Sequence, residues 1–182
     1  MSANEAEDYH AEQIAVFKDT AADLVSAFTM NYTGEPIGIA RAAKAAGIPV
    51  VISLTLETDG RLPTGQTLKD AIGEIDAETG AAPAYYMINC AHPTHFADAL
   101  QTGETAGNSW IQRLRGLRAN ASARSHAELD QATDLDAGDP AALAQQYADL
   151  RRRLRHVTVL GGCCGTDFRH VEMICFACRP AA

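Results

Sequence analysis

Short apolar runs alternate with helical patterns along almost the whole chain, and this alternation limits the possible folds more than any other feature. The clearest run, residues 49–55, is β-branched and continuously apolar, as expected of a strand covered on both faces. We predict strands over residues 23–29, 49–55, 84–89, 116–119 and 157–160, and helices over residues 5–20, 35–46, 67–79, 94–101, 140–154 and 167–178. Because strand–helix–strand repeats pair in parallel, the sequence predicts an α/β fold with a five-stranded parallel sheet.

Local signals support several of these boundaries. Gly47 ends the second helix, and Asp139 followed by Pro140 is typical of a capped helix start. The apolar residues of the first helix predict a buried stripe over Ala11, Ile14, Ala15 and Phe17. Residues 120–139 form a long polar stretch, which we expect to be a functional loop.

Polar and thiol side chains follow the predicted strands at the point where each strand ends. They are Thr29, Thr55, Asn89 with Cys90, Asn120, and residues 161–167. Because chemistry in parallel α/β sheets gathers at the carboxyl ends of the strands, we expect these residues to surround one site.

Composition excludes several classes of function. A chain of 182 residues, 47% of them hydrophobic, predicts a single domain over residues 1–182. The net charge of −8 argues against a nucleic-acid partner, and residues 151–153, three arginines, read as a solvated helix face. The start of the chain is acidic, and no apolar run is as long as a membrane span. Five irregularly spaced cysteines fit a reducing compartment, so we expect a cytoplasmic protein with no membrane partner.

Two adjacent cysteines in a glycine frame are the strongest functional signal. Cys163 and Cys164 lie between Gly162 and Gly165 after the last predicted strand, and Cys90 ends another strand. Three thiols at strand ends make the ligand set of a catalytic Zn²⁺ that keeps its fourth position open. The alternative is that these cysteines are small buried hydrophobes.

A three-thiolate zinc is suited to holding a fourth thiol as a thiolate, and less suited to activating water. We expect Asn89 and Thr166 to donate hydrogen bonds to the sulfurs, and Asn120 to line the pocket mouth, with Thr55 also near the pocket. His170 lies on the last predicted helix, just beyond the two adjacent cysteines. It either supports the loop that carries them without binding the metal itself, or is an exposed helix histidine.

Asn89-Cys90 together with Gly161-Gly162-Cys163-Cys164-Gly165-Thr166 resembles the zinc-binding signature of the homocysteine S-methyltransferases. The resemblance runs over most of the chain and includes residues 21–25, 51–55 and 59–60. It implies a (β/α)8 TIM barrel of which about strands four to eight are present, with Zn²⁺ bound by residues matching Cys90, Cys163 and Cys164. It also implies transfer of a methyl group from a donor to the sulfur of homocysteine, which yields methionine.

This sequence departs from the family pattern in two places. The early strands, which in the family supply an acidic residue near the substrate, have no match here, so we expect a homo-oligomer or a partner that supplies the missing half of the barrel. Many members also have Glu at the position of Phe28, where it helps to hold the amino acid. Glu57, beyond the following strand, is a candidate substitute.

Three further interpretations stay open. The chain can be a partial barrel that binds zinc without turnover, or a redox protein that uses Cys163 and Cys164 or the pair Cys175 and Cys178. Simple packing on one helix face is the simpler explanation of the second pair. His92 and His95 begin a helix, which favours surface positions or a role in a substrate loop.

Overall fold

The computed structural model describes residues 1–105 and 109–179, whose strands form one parallel sheet of five strands. The strands lie side by side in chain order: β1 (Val25–Met30), β2 (Val50–Thr55), β3 (Tyr85–Asn89), β4 (Leu114–Ala119) and β5 (Val159–Gly162). A strictly sequential order is that of a barrel wall, whereas doubly wound sheets reverse their order at a switch point. The prediction of an α/β fold with five parallel strands is confirmed, and the sheet is consistent with part of a (β/α)8 barrel.

Seven helices occur in the described residues: α1 (Ala3–Lys18), α2 (Gly34–Ala46), α3 (Leu68–Thr79), α4 (Pro93–Thr105), α5 (His126–Asp130), α6 (Pro140–Arg153) and α7 (Phe168–Ala177). Gly47 ends α2 in the left-handed conformation, and the Asp139 carboxylate caps α6, as predicted. A 3₁₀ turn over Ser109–Arg113 and the short helix α5 were not predicted. Elements of five residues are too short to show a hydrophobic period.

The predicted buried stripe of α1 is wrong. Ile14 is buried, but Ala11, Ala15 and Phe17 are exposed. The helix instead packs through Ala6 against α2, where a Cβ on Gly38 would lie 2.5 Å from the carbonyl oxygen of Ala3. The backbones of α1 and α2 approach closely at this glycine, with Ala6 and Ile14 of α1 buried and Val16 and Phe17 exposed.

The two faces of the sheet have different roles. One face packs against the helices, through apolar side chains such as Ile52, Leu54, Tyr86 and Ile88, all fully buried. The opposite face carries the alternate residues of each strand, and we call it the inner face; it includes Ser26, Phe28, Val51, Ser53, Met87, Asn89, Gly116 and Arg118. On it the Arg118 guanidinium of β4 lies 4.7 Å from the ring centroid of Phe28 of β1. The two side chains therefore reach toward each other across β2 and β3.

Within residues 1–105 and 109–179, no helix has the length and apolar character needed to cross a bilayer.

Candidate metal centre

Three thiols meet at the carboxyl end of the sheet. Cys90 directly follows β3, and Cys163 and Cys164 directly follow β5. The Cys90 sulfur lies 2.8 Å from that of Cys163 and 3.9 Å from that of Cys164, and all three sulfurs lie within 4.8 Å of one another. The cysteines are free, Cys164 is exposed, and the other two are half-buried. The fold thus brings together the residues that the sequence singled out.

The backbone at Cys90 is held in a conformation that non-glycine residues rarely adopt. Cys90 has a φ of 54°, and Thr29, whose hydroxyl lies 3.9 Å from the Cys90 sulfur, has a φ of 63°. His126 Nε2 donates a hydrogen bond of 2.5 Å to the Cys90 carbonyl, and its Nδ1 lies 3.1 Å from a Glu57 oxygen. Such strain persists only where surrounding contacts fix it, and these contacts aim the Cys90 sulfur at the other two.

Glu57 and His126 form an ion pair beside the thiols. Burial lowers the pKa of His126, but its hydrogen bonds to the Cys90 carbonyl and Glu57 outweigh burial and leave that pKa raised. The Glu57 carboxylate therefore already has a partner in His126.

The loop that carries Cys163 and Cys164 is tied to β4 by backbone hydrogen bonds. Cys163 donates to the Ala119 carbonyl at 2.8 Å, and the Cys164 carbonyl accepts from Ala121 at 2.9 Å. The Cys164 amide also donates to the side-chain oxygen of Asn120 at 3.1 Å. These contacts place two adjacent residues so that both sulfurs reach one point, which regular strand alternation does not allow.

Gly162 lets this loop fold back on itself. A Cβ there would lie 2.1 Å from the Thr166 hydroxyl oxygen, which donates to the Cys163 carbonyl at 2.7 Å. Gly165, with a φ of 76°, completes the turn.

The thiols share protons unequally. The hydrogen bond from Cys90 lowers the pKa of Cys163 to about 5, and this hydrogen bond and burial raise the pKa of Cys90. Burial and the adjacent Cys163 thiolate raise the pKa of Cys164. At neutral pH the metal-free cluster therefore holds one thiolate, which is the form that binds a metal.

The donor set fits zinc. Sulfurs bound tetrahedrally at about 2.3 Å lie about 3.8 Å apart, close to the 3.9 Å between Cys90 and Cys164. The contact between Cys90 and Cys163 would have to open by about 1 Å, within the reach of a side-chain rotation. Three soft sulfurs with no other metal-ligand side chain in the group match a zinc site with an open position.

Two of the predicted supporting residues act on the backbone of the site and not on the sulfurs. The Thr166 hydroxyl donates to a carbonyl, and the Asn120 amide oxygen accepts from the Cys164 amide. Asn120 is also buried, so its predicted place at a pocket mouth is wrong. Both contacts hold the backbone of the thiol loop. The residue types Asn and Thr can make either kind of contact, so the sequence does not show which one they make.

Asn89 is linked to Cys90 through Thr29. Its side-chain oxygen accepts from the Thr29 amide at 3.0 Å and from the Ser53 hydroxyl at 2.6 Å, and its nitrogen donates to the Thr29 hydroxyl at 2.9 Å. Thr55, beside it on β2, is buried, and its hydroxyl has no hydrogen-bond partner in the described chain.

His170 is fully buried, so the alternative of an exposed helix histidine is wrong. Its Nδ1 accepts from the Asp167 amide at 3.1 Å, and its Nε2 donates to the Ala137 carbonyl at 2.8 Å. These contacts join the start of α7 to the segment before α6. Because α7 begins directly after the thiol loop, they also hold the end of that loop in place.

The remaining candidates lie apart from the cluster. His92 is buried, which overturns its predicted surface position, and His95 donates to the Ala123 carbonyl at 2.9 Å. Cys175 is exposed and Cys178 buried, so the prediction that both pack on one helix face is wrong for Cys175. Neither belongs to the metal-ligand group.

Sequence reasoning missed Tyr147 and Arg118. The Tyr147 hydroxyl donates to the Gly161 carbonyl and accepts from the Ala119 amide, both at 2.7 Å. It therefore joins β4 to β5 just before the residues of the thiol loop. A lone tyrosine in a polar helix gives no sign of this contact. Arg118 donates from Nε to the Gly162 carbonyl at 3.2 Å, and nothing in its sequence surroundings predicts that.

Comparison with known proteins agrees with this geometry. The family model described as homocysteine S-methyltransferase matches residues 1–178. Among solved structures, the chain is similar to the apo form of the homocysteine methyltransferase MmuM from Escherichia coli, with a TM-score of 0.69 and 18% identity. The match covers 97% of this chain but only 57% of that one, so this chain spans little more than half of its length. A search of curated proteins finds no match. Since the family model covers nearly the whole sequence, the chain belongs to the homocysteine S-methyltransferase family.

Proposed function

We propose that this protein takes part in zinc-dependent transfer of a methyl group to the thiol of homocysteine, giving methionine. The observation that carries the proposal is the convergence of three cysteine sulfurs within 4.8 Å at the carboxyl end of the sheet. Membership of the family supplies the reaction class and the acceptor.

Cys90, Cys163 and Cys164 would hold the zinc ion. When bound, zinc keeps an acceptor thiol in its nucleophilic thiolate form at neutral pH. Methyl transfer to the acceptor sulfur would form its bond to the methyl carbon as the bond to the donor breaks, and the donor's leaving group would take that electron pair.

The chain's own residues would fix where the three sulfurs point. His126 holds the Cys90 carbonyl, Asn120 holds the Cys164 amide, and Thr166 holds the Cys163 carbonyl. All three contacts are to the backbone, so they restrict the direction of each Cα–Cβ bond. Ligands fixed in advance lose less freedom when the metal binds, which raises its affinity.

Zinc content is the first test. Protein purified without chelator should contain close to one zinc per chain, and Cys163→Ala should lose most of it. Cys175→Ala is the matched control, because Cys175 is an exposed cysteine outside the metal-ligand group. Zinc-free wild-type protein, or full zinc retention in Cys163→Ala, would refute the metal site.

Turnover is the second test, because zinc binding alone does not establish methyl transfer. Methionine formation from homocysteine should be measured with donors of two classes, a methylsulfonium and a quaternary methylammonium compound. Activity that disappears in Cys163→Ala and persists in Cys175→Ala supports the proposal. A zinc-loaded protein inactive with both donors would refute turnover by this chain alone.

A second candidate is a zinc-binding partial barrel that acts only as an oligomer or with a partner. Within the described residues, β1 and β5 each pair on one side only, and such edges favour association. Helix α7, next to β5, also exposes Phe168, Val171 and Phe176. Sedimentation across a range of concentrations, paired with the methionine assay, separates the two: an active monomer excludes this candidate.

A further inference from the structure

Arg118 has an unusual position beside the thiols. It lies on β4, paired with Asn89 of β3 on one side and Gly161 of β5 on the other. Asn89 directly precedes Cys90 in the chain, and Gly161 lies two residues before Cys163. Both strand neighbours of Arg118 are therefore next to metal-ligand candidates. Its Nε donates to the Gly162 carbonyl at 3.2 Å, which fixes the guanidinium next to the thiol loop.

The charge of Arg118 has no anionic partner in the part of the chain that the structure describes. Its contacts among the described residues are the Nε hydrogen bond to Gly162 and the Phe28 ring, so its two Nη nitrogens make no hydrogen bond or ion pair there. The guanidinium rests instead on the Phe28 ring, at 4.7 Å from the centroid. Cation–π contact orients the planar group but leaves its outer donors free.

The inner face around this guanidinium lacks acidic side chains. The described residues of β1 to β4 on that face are apolar or neutral, apart from Arg118 itself. Glu57 is paired to His126. A ligand lying on this face toward the thiols therefore meets the positive charge of Arg118 and no carboxylate of the inner face.

We propose that Arg118 is the residue that binds the carboxylate of the thiol substrate, and that this chain selects thiol carboxylates by that group. The inference rests on the proposed function, because it takes the thiol cluster as the point where the substrate sulfur lies. The fork of Nη donors suits bidentate binding of a carboxylate. A substrate ammonium group finds no acidic partner on the inner face, so a desamino thiol carboxylate binds at least as tightly as homocysteine.

Binding of matched thiols to the zinc-loaded protein tests this, measured by calorimetry. 4-Mercaptobutanoate and 4-mercaptobutanol have the same chain length and thiol, and differ in the carboxylate. Wild-type protein should bind the carboxylate about tenfold more tightly, the effect expected of one half-exposed charge-assisted contact. In Arg118→Gln the ratio should fall to about one, and in Arg118→Lys it should lie between the two.

Arg115→Gln is the matched control. Arg115 is an exposed arginine near the start of the same strand, at the end of β4 opposite to the thiols, so its substitution removes the same charge at a distance from them. The wild-type ratio should persist in this variant. A ratio near one in wild-type protein, or a full ratio in Arg118→Gln, would overturn the assignment.

Failure of the proposed function gives a different result. If neither thiol binds, the thiol cluster is not the acceptor site. Butyrate, which carries the carboxylate but no thiol, then tests whether Arg118 binds a carboxylate independently of the cluster. A change in the Arg118 Nε–Hε resonance on addition of butyrate, absent with butanol, supports the carboxylate site. An unchanged resonance overturns it.

Discussion

Replacement of Asn89 by alanine tests how the fold holds the thiol site. Asn89 is buried, and its amide joins β1, β2 and β3 by accepting from the Thr29 amide and the Ser53 hydroxyl and by donating to the Thr29 hydroxyl. The substitution removes all three hydrogen bonds. It leaves the fully buried Ser53 hydroxyl and the Thr29 amide without these partners.

The magnitude follows from the groups left unpaired. Thr29 is exposed, so its amide and hydroxyl can bind water instead, and the Ser53 hydroxyl is the buried group that loses its partner. One buried polar group left unpaired costs about 1–3 kcal/mol, so we expect Asn89→Ala to lower the free energy of unfolding by about 1–3 kcal/mol. Thr29 also loses the contacts that hold its positive φ beside Cys90. Zinc affinity should consequently fall by about tenfold, the lower end for loss of a supporting contact.

Urea unfolding and chelator competition measure the two effects. Asn31→Ala is the matched control: Asn31 is an exposed asparagine just after β1, and its change should stay within about 0.5 kcal/mol. Ser53→Ala removes one hydrogen bond and leaves both contacts to Thr29, so it should cost about 1 kcal/mol. If Asn89→Ala unfolds at the same urea concentration as Asn31→Ala, the network does not hold the strand ends together.

Two further predictions concern the thiol loop. Gly162→Ala should weaken zinc binding by at least about tenfold in the chelator competition, because the added Cβ would lie 2.1 Å from the Thr166 hydroxyl oxygen. Gly161→Ala is the control and should keep wild-type affinity, because the nearest atom to its Cβ would be 3.6 Å away. In metal-free protein, ultraviolet absorbance should show a thiolate that titrates near pH 5, because the pKa of Cys163 is lowered from 9.0. Since a depressed pKa stabilises the folded state above the unfolded value, this contribution is complete above about pH 9 and is lost as the pH falls toward 5. Cys90→Ser should shift the titration upward; an unchanged curve would contradict the shared proton.

The sheet and the ligand set could be predicted because both leave strong local patterns. Apolar runs bounded by glycine and proline define the strands, and parallel order follows from the helices between them. The three cysteines follow strand ends in the sequence, and parallel strands bring their carboxyl ends to one edge. The convergence of the sulfurs thus follows from the topology of the sheet, and that topology can be inferred from the order of strands and helices in the sequence.

The supporting contacts could not be predicted, because they join residues far apart in the chain through atoms that the sequence does not orient. Asn89 and Thr29 are separated by 60 residues, and His126 and Glu57 by 69. The buried position of His170 depends on the Ala137 carbonyl, which a helical pattern around His170 does not reveal. Arg118 belongs to a short strand in which its side chain could equally face the helices until the register with β3 and β5 is known.

The contacts of the site separate metal binding from turnover. The backbone contacts that join the thiol loop to the sheet run to the end of β4, and Tyr147 bridges β4 and β5. The inner face, where an acceptor would lie, extends instead to β1, whose outer edge is unpaired in the described residues. Zinc affinity should therefore not depend on protein concentration, because its ligands come from one chain. If an added copy or partner is needed to close the inner face, only methionine formation should rise with concentration. A zinc affinity that rises together with activity would show that the metal centre itself is completed by association.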